Sequence, residues 1–176
     1  MAKVGIIGAG SWGTALAWLL SNNGCEVTVF SVMEDEIKML KECHEQLDKL
    51  PGVILPKDMI FTTDLEEAIN GKDVLVLAVP SPFTRSTAAK MAPYIKEGQK
   101  IVSVAKGIEE KTLMTLSEII EQEIPAADVA VLSGPSHAEE VGKGIPTTIV
   151  VGAKTKETAE YLQNLFMSQV FRVYTS

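Results

Sequence analysis

Apolar residues along this chain follow two rhythms that take turns. Residues 3–8 and 26–31 are short β-branched runs, and between them Ala15, Leu16, Leu19 and Leu20 recur at helical spacing over residues 12–22. Asn23-Gly24 supplies the stop that a helix end favours. The segment therefore reads as one strand–helix–strand unit. Residues 34–50 read as a second helix, 51–56 as a loop and 59–62 as a short strand, while Asp64 and Glu67 have capping-box spacing for the next helix. Residues 73–79 form a near-continuous apolar run, as expected of a parallel strand covered on both faces. Ser81-Pro82 then starts a helix to about residue 96. The alternation continues with a strand at 100–105, a helix at 112–123 and a strand at 128–133. Two further strands, at 147–151 and 171–174, flank a helix at 156–166.

This pattern predicts the α/β class: a Rossmann-type doubly wound, mostly parallel sheet with extra strands at its C-terminal end, forming one domain over residues 1–176. Ligands of such sheets bind outside the carboxyl ends of the strands. The loops after Ile7, Phe30, Val79, Ala105 and Leu132 are therefore where function is expected.

Composition narrows the field. The chain is 46% hydrophobic and 22% charged, a balance of globular rather than disordered proteins, and its net charge of −7 argues against a nucleic-acid partner. Two cysteines, Cys25 and Cys43, demand no disulfide and fit a reducing, cytoplasmic setting. The run from Val4 to Cys25 carries no charge, and Ala15-Leu16-Ala17 imitates a signal-peptidase site. Gly8, Gly10 and Gly13 interrupt that run where an export signal or membrane span needs unbroken apolar helix. A strand, a turn and a helix account for it better.

Gly8-Ala9-Gly10-Ser11-Trp12-Gly13 follows the first strand and opens the first helix. In a dinucleotide-binding turn the first glycine permits the tight bend, the second lets a pyrophosphate approach the backbone, and the third lets helix pack on strand. The helix N-terminus offers unpaired N–H groups to the phosphates. The implied cofactor is NAD or NADP. After the second strand comes Ser31-Val32-Met33-Glu34-Asp35, with no Arg to hold a 2′-phosphate and an acidic pair to repel one, so NADH is expected over NADPH.

Lys106-Gly107 stands at a strand's carboxyl end, where a lysine can hold a phosphate or a polarised oxygen, or simply occupy an exposed turn. Ser136 and Glu139 have capping-box spacing, and a helix start facing the crevice doubles as an anion site. No metal site is expected: His44-Glu45-Gln46-Leu47-Asp48 lacks the second histidine of a zinc-binding helix. Gly134-Pro135-Ser136-His137-Ala138 lacks the last glycine of a nucleophile elbow.

Three stretches, Gly8 to Ala17, Lys106-Gly107-Ile108-Glu109 and Ser133 to Glu140, resemble in order the successive signatures of bacterial NAD(P)-dependent glycerol-3-phosphate dehydrogenase, and the similarity covers the whole chain. The resemblance implies that Ser11, Trp12 and Ala138 contact the cofactor, that Lys106 contacts cofactor and substrate, and that Gly134 and Ser136 hold the glycerol phosphate. It implies a phosphorylated small-molecule substrate, a role in glycerol-3-phosphate and phospholipid precursor metabolism, and compatibility with a homodimer. Val32 and Lys49-Leu50-Pro51 depart from the family, which often has a basic residue or His and an aromatic there. The family's helical substrate domain and its catalytic lysine are expected beyond Ser176, so the chain alone is expected to bind dinucleotide without turnover. Alternative readings are another β-hydroxyacid-type dehydrogenase and a non-catalytic NAD(P)-sensing module.

Overall fold

Eight strands join in a single sheet in the computed structural model, which describes residues 1–176 throughout. They are β1 (Lys3–Ile7), β2 (Glu26–Phe30), β3 (Ile60–Thr62), β4 (Val74–Leu77), β5 (Lys100–Ser103), β6 (Asp128–Ser133), β7 (Thr147–Ala153) and β8 (Phe171–Thr175). The helices are α1 (Ser11–Asn22), α2 (Glu34–Cys43), α3 (Leu65–Ile69), α4 (Thr84–Met91), α5 (Leu116–Glu123), α6 (Ala138–Gly142) and α7 (Lys156–Phe166). The sheet order is β3-β2-β1-β4-β5-β6-β7-β8. β1 to β6 pair in parallel, β7 turns antiparallel to β6, and β8 is parallel to β7. Chain order reverses direction between β1 and β4, which opens a crevice at their carboxyl ends.

The period of two along the central strands builds two cores. Val4 and Ile6 of β1, Val74 and Val76 of β4, and Val102 of β5 join a 31-residue cluster with α1 and α7. Ile7, Leu75, Leu77 and Ile101, their alternate neighbours, join a 12-residue cluster with α4 and α5 on the other face. Successive side chains on a strand point to opposite faces, so apolar runs are what a doubly covered sheet needs. α1 ends where expected, with Asn23 N–H on Leu19 O and Gly24 N–H on Ser21 O. Asn23 Nδ2 also donates to Leu165 O at 3.0 Å and so ties the end of α1 to that of α7. No helix is long and apolar enough to cross a membrane.

Several elements differ from the sequence expectation. The second helix was expected to reach residue 50 but ends at Cys43, because His44 takes a left-handed conformation (φ 49°) and Glu45 forms a β-bridge with Ile54. The helix after β4 begins as a 3-10 turn at Ser81–Phe83 and tightens again into 3-10 at Ala92–Tyr94, where Pro93 cannot donate to an α-helical ladder. α5 starts later than expected, at a full capping box in which Thr115 and Glu118 satisfy each other's backbone N–H. Asp64 caps α3, but Glu67 accepts from the Thr62 hydroxyl at 2.6 Å instead of completing the box. Ser136 caps nothing: His137 is the N-cap of the five-residue α6, and the Ser136 hydroxyl donates to Gly134 O at 3.3 Å.

Candidate functional site

The turn from β1 into α1 is shaped by three glycines that face three different constraints. Gly8 has φ +121°, and its N–H donates to Phe30 O at 3.0 Å. A Cβ there would lie 2.9 Å from the Ala78 backbone, so this turn runs hard against the end of β4. At Gly13 a Cβ would overlap the Gly8 carbonyl oxygen and come within 3.1 Å of Ala78 Cβ. Gly10 is unlike both: its φ of −71° suits any residue, and nothing lies within 4 Å of the Cβ position. Nothing inside the protein requires glycine there. Open space at this point, beside a helix start with no side-chain cap and no acidic residue in its first turn, is what a phosphate approaching the backbone requires.

Gly8, Gly10, Ser11, Trp12, Lys106, Ser136 and Ala138 all line one crevice of about 1020 Å³ at the β1–β4 switch point. Trp12 Nε1 donates to Val104 O at 3.1 Å and so locks the first turn of α1 to the end of β5. Gly13 lies behind the turn and Gly134 beside β7, where a Cβ would come within 3.1 Å of Ile149 Cα; neither lines the crevice. Lys49, Lys90 and Lys106 line the same space with two acids, Glu36 and Glu139, so the crevice carries more cations than anions in a chain whose net charge is −7. Phe83, Ser86, Thr87 and Lys90, spaced at 0, 3, 4 and 7, form the wall running from the 3-10 turn into α4.

The end of β2 holds a network that sequence reasoning missed. Glu34 and Asp35 are exposed, and the acid of α2 that lines the crevice is Glu36, one turn before the buried Leu40 on the same face. Its carboxylate accepts from Ser31 Oγ at 2.6 Å, Gln46 Nε2 at 2.7 Å and Lys49 Nζ at 2.8 Å. Gln46 is fully buried and also donates to Ala9 O at 2.8 Å, which fastens the network to the glycine turn. Helical periodicity alone would have picked out Glu36. Gln46 and Lys49 carried no such signal, because they enter only through the bend at His44.

The loop carrying Lys106 is clamped from outside the crevice. Arg85 of α4 forks onto Glu109 through Nε at 2.7 Å and Nη2 at 2.8 Å, while Nη1 reaches Glu123 and Gln122 of α5 at 2.7 Å. Glu109 N–H donates to Met114 O at 2.9 Å, which closes the loop on itself. The hydrogen bonds from Arg85 and then Thr112 lower the Glu109 carboxyl from 4.5 to about 2. A carboxyl with a depressed folded pKa stabilises fully above its unfolded value and loses that contribution as pH falls through the folded one. The melting temperature of Glu109→Gln should therefore trail the wild type by a constant gap above about pH 5, and the gap should close as pH falls from 4.5 towards 2. A gap indifferent to pH would place the effect of the substitution elsewhere.

A parallel core in the order 3-2-1-4-5-6, with a glycine turn and an uncapped helix start at its switch point, defines a dinucleotide-binding domain of Rossmann type. A family model described as NAD-dependent glycerol-3-phosphate dehydrogenase N-terminus matches residues 3–159. The chain belongs to that family. It is 68% identical over its full length to a glycerol-3-phosphate dehydrogenase (NAD(P)+) of Agathobacter rectalis and 53% identical to one of Fusobacterium nucleatum, covering 52% and 53% of those proteins. The crystal structure of glycerol-3-phosphate dehydrogenase from Coxiella burnetii superposes with a TM-score of 0.94 at 29% identity, over 99% of this chain and 54% of that one. The chain thus spans about half the length of the relatives it matches.

Proposed function

We propose that this chain binds NADH or NADPH in the crevice, as the dinucleotide-binding half of an enzyme that interconverts dihydroxyacetone phosphate and glycerol 3-phosphate. The observation that carries the reading is Gly10, a glycine that no contact inside the protein requires, with open space beside it at the uncapped start of a 12-residue helix. When bound, the nicotinamide supplies or accepts the hydride. The residues of this chain bind and orient. Backbone N–H groups at Ser11 and Trp12 receive the pyrophosphate, and Trp12 holds that turn against β5. Ala138 borders the cofactor, and Lys106 provides a cation between cofactor and substrate. Ser136, whose hydroxyl lines the crevice with only a long bond to Gly134 O, receives the glycerol phosphate, and Gly134 shapes the turn behind it. The free thiols of Cys25 and Cys43 support a reducing, cytoplasmic setting.

Lys106→Ala is the test on the substrate side. In a chain of the relatives' full length, with dinucleotide saturating, calorimetry should show glycerol 3-phosphate binding weakened about 10-fold or more, as expected for loss of one charge-assisted contact. Dinucleotide affinity should change by less than about 3-fold. Unchanged substrate affinity would return Lys106 to the role of a surface lysine.

A further inference from the structure

The cluster at the end of β2 lies where a Rossmann-type site meets the adenosine ribose, and there the 2′ position alone distinguishes the two dinucleotides: a hydroxyl in NADH, a phosphate in NADPH. A carboxylate at that place favours the hydroxyl, and a cation favours the phosphate. This chain has both, joined to each other. Glu36 is nearly enclosed, with a side chain 10% exposed, and is held by three donors from Ser31, Gln46 and Lys49. Lys49 is 51% exposed, lines the crevice and commits one of its three N–H donors to Glu36. The pair is locally neutral, and two ammonium donors remain for an incoming anion.

We propose that Lys49 is the residue that admits NADPH: its ammonium takes the 2′-phosphate, while Glu36, fixed from three sides, remains the carboxylate for the 2′-hydroxyl of NADH. The proposal rests on the crevice being the dinucleotide site. The expectation of NADH over NADPH draws on the residues next to Ser31 alone; the cation that would admit NADPH lies 18 positions further along the chain and reaches the site through the bend at His44. With Lys49 paired to it, the acid in the crevice need not exclude the 2′-phosphate. Without Lys49 the Glu36 charge would be unscreened and would repel a group carrying about two negative charges. Lys90 and Lys106 also line the crevice without an ion pair; Lys106 is assigned to the substrate side, which leaves Lys90 as the competing cation.

Fluorescence titration of the chain with NADH and with NADPH, for wild type, Lys49→Met and Lys90→Met, decides between them. Lys49→Met should raise the Kd for NADPH about 10-fold and leave that for NADH within about 2-fold. The NADPH affinity of the wild type should fall more steeply with added salt than its NADH affinity, and Lys49→Met should flatten that difference. A merely structural role for Lys49 would weaken both dinucleotides alike and leave the salt dependence unchanged, and either result overturns the proposal. Loss of NADPH binding in Lys90→Met but not in Lys49→Met also overturns it. If the wild type binds neither dinucleotide, the reading of the crevice fails together with the proposal, whereas NADH binding with an indifferent Lys49 sinks the proposal alone.

Discussion

Gly10→Val should leave a folded chain that no longer holds dinucleotide, with the Kd for NADH raised at least about 100-fold, or about 2.8 kcal/mol. The backbone at Gly10 is in an extended conformation open to a β-branched residue, and no protein atom lies within 4 Å of its Cβ position. The fold therefore loses only the difference between glycine and valine as an N-cap, about 1 kcal/mol. For a chain of this size that shifts the melting temperature by about 2–4 °C. The ligand loses much more, because the branched side chain fills the space through which the pyrophosphate meets the N–H groups of α1. Calorimetric titration beside a thermal melt separates the two effects. Wild-type affinity in a folded variant would remove the glycine turn from the site.

Gly13→Ala, three residues further on, should do the opposite and damage the fold first. Alanine in a helix is favoured over glycine by up to about 1 kcal/mol. Here that gain is outweighed, since the new methyl would overlap the Gly8 carbonyl oxygen and press on Ala78. Neither is the free end of a flexible chain: both belong to the turn and strand on which α1 rests. Relief requires α1 to lift from the sheet, which strains the Leu16 and Leu20 packing in the larger core. A net loss of about 2 kcal/mol or more follows, seen as a drop in melting temperature of about 4–8 °C. Dinucleotide affinity should fall as well, because the same shift moves the N–H groups of the first turn. A variant as stable as the wild type would mean that the helix and turn separate more easily than their contacts indicate.

The contrast between the two glycines marks the boundary of what can be read from one dimension. The sequence by itself determined the alternation of strands and helices, since periods of 2 and 3.6 are local properties. It determined the parallel core through the doubly apolar runs of β4 and β5. It also pointed to the crevice at the switch point, through Gly8 and Gly10 between strand and helix, and the family resemblance follows from that same stretch and from those around Lys106 and Ser136. Where a cap or a bend depends on a partner far along the chain, local pattern misled. The second helix was drawn through residues 44–50 because the charged and apolar residues there permit a helix. Tertiary structure ended it at Cys43, where the chain turns so that the Gln46 amide is buried and donates to both Ala9 O at the glycine turn and Glu36. That bend alone brings Lys49 to the end of β2. Likewise Ser136 and Glu139 share capping-box spacing, yet His137 took the N-cap and left the Ser136 side chain in the crevice. Spacing along a chain fixes which residues share a face. Which distant charges meet at that face depends on how loops close across the sheet, and only the folded chain decides it.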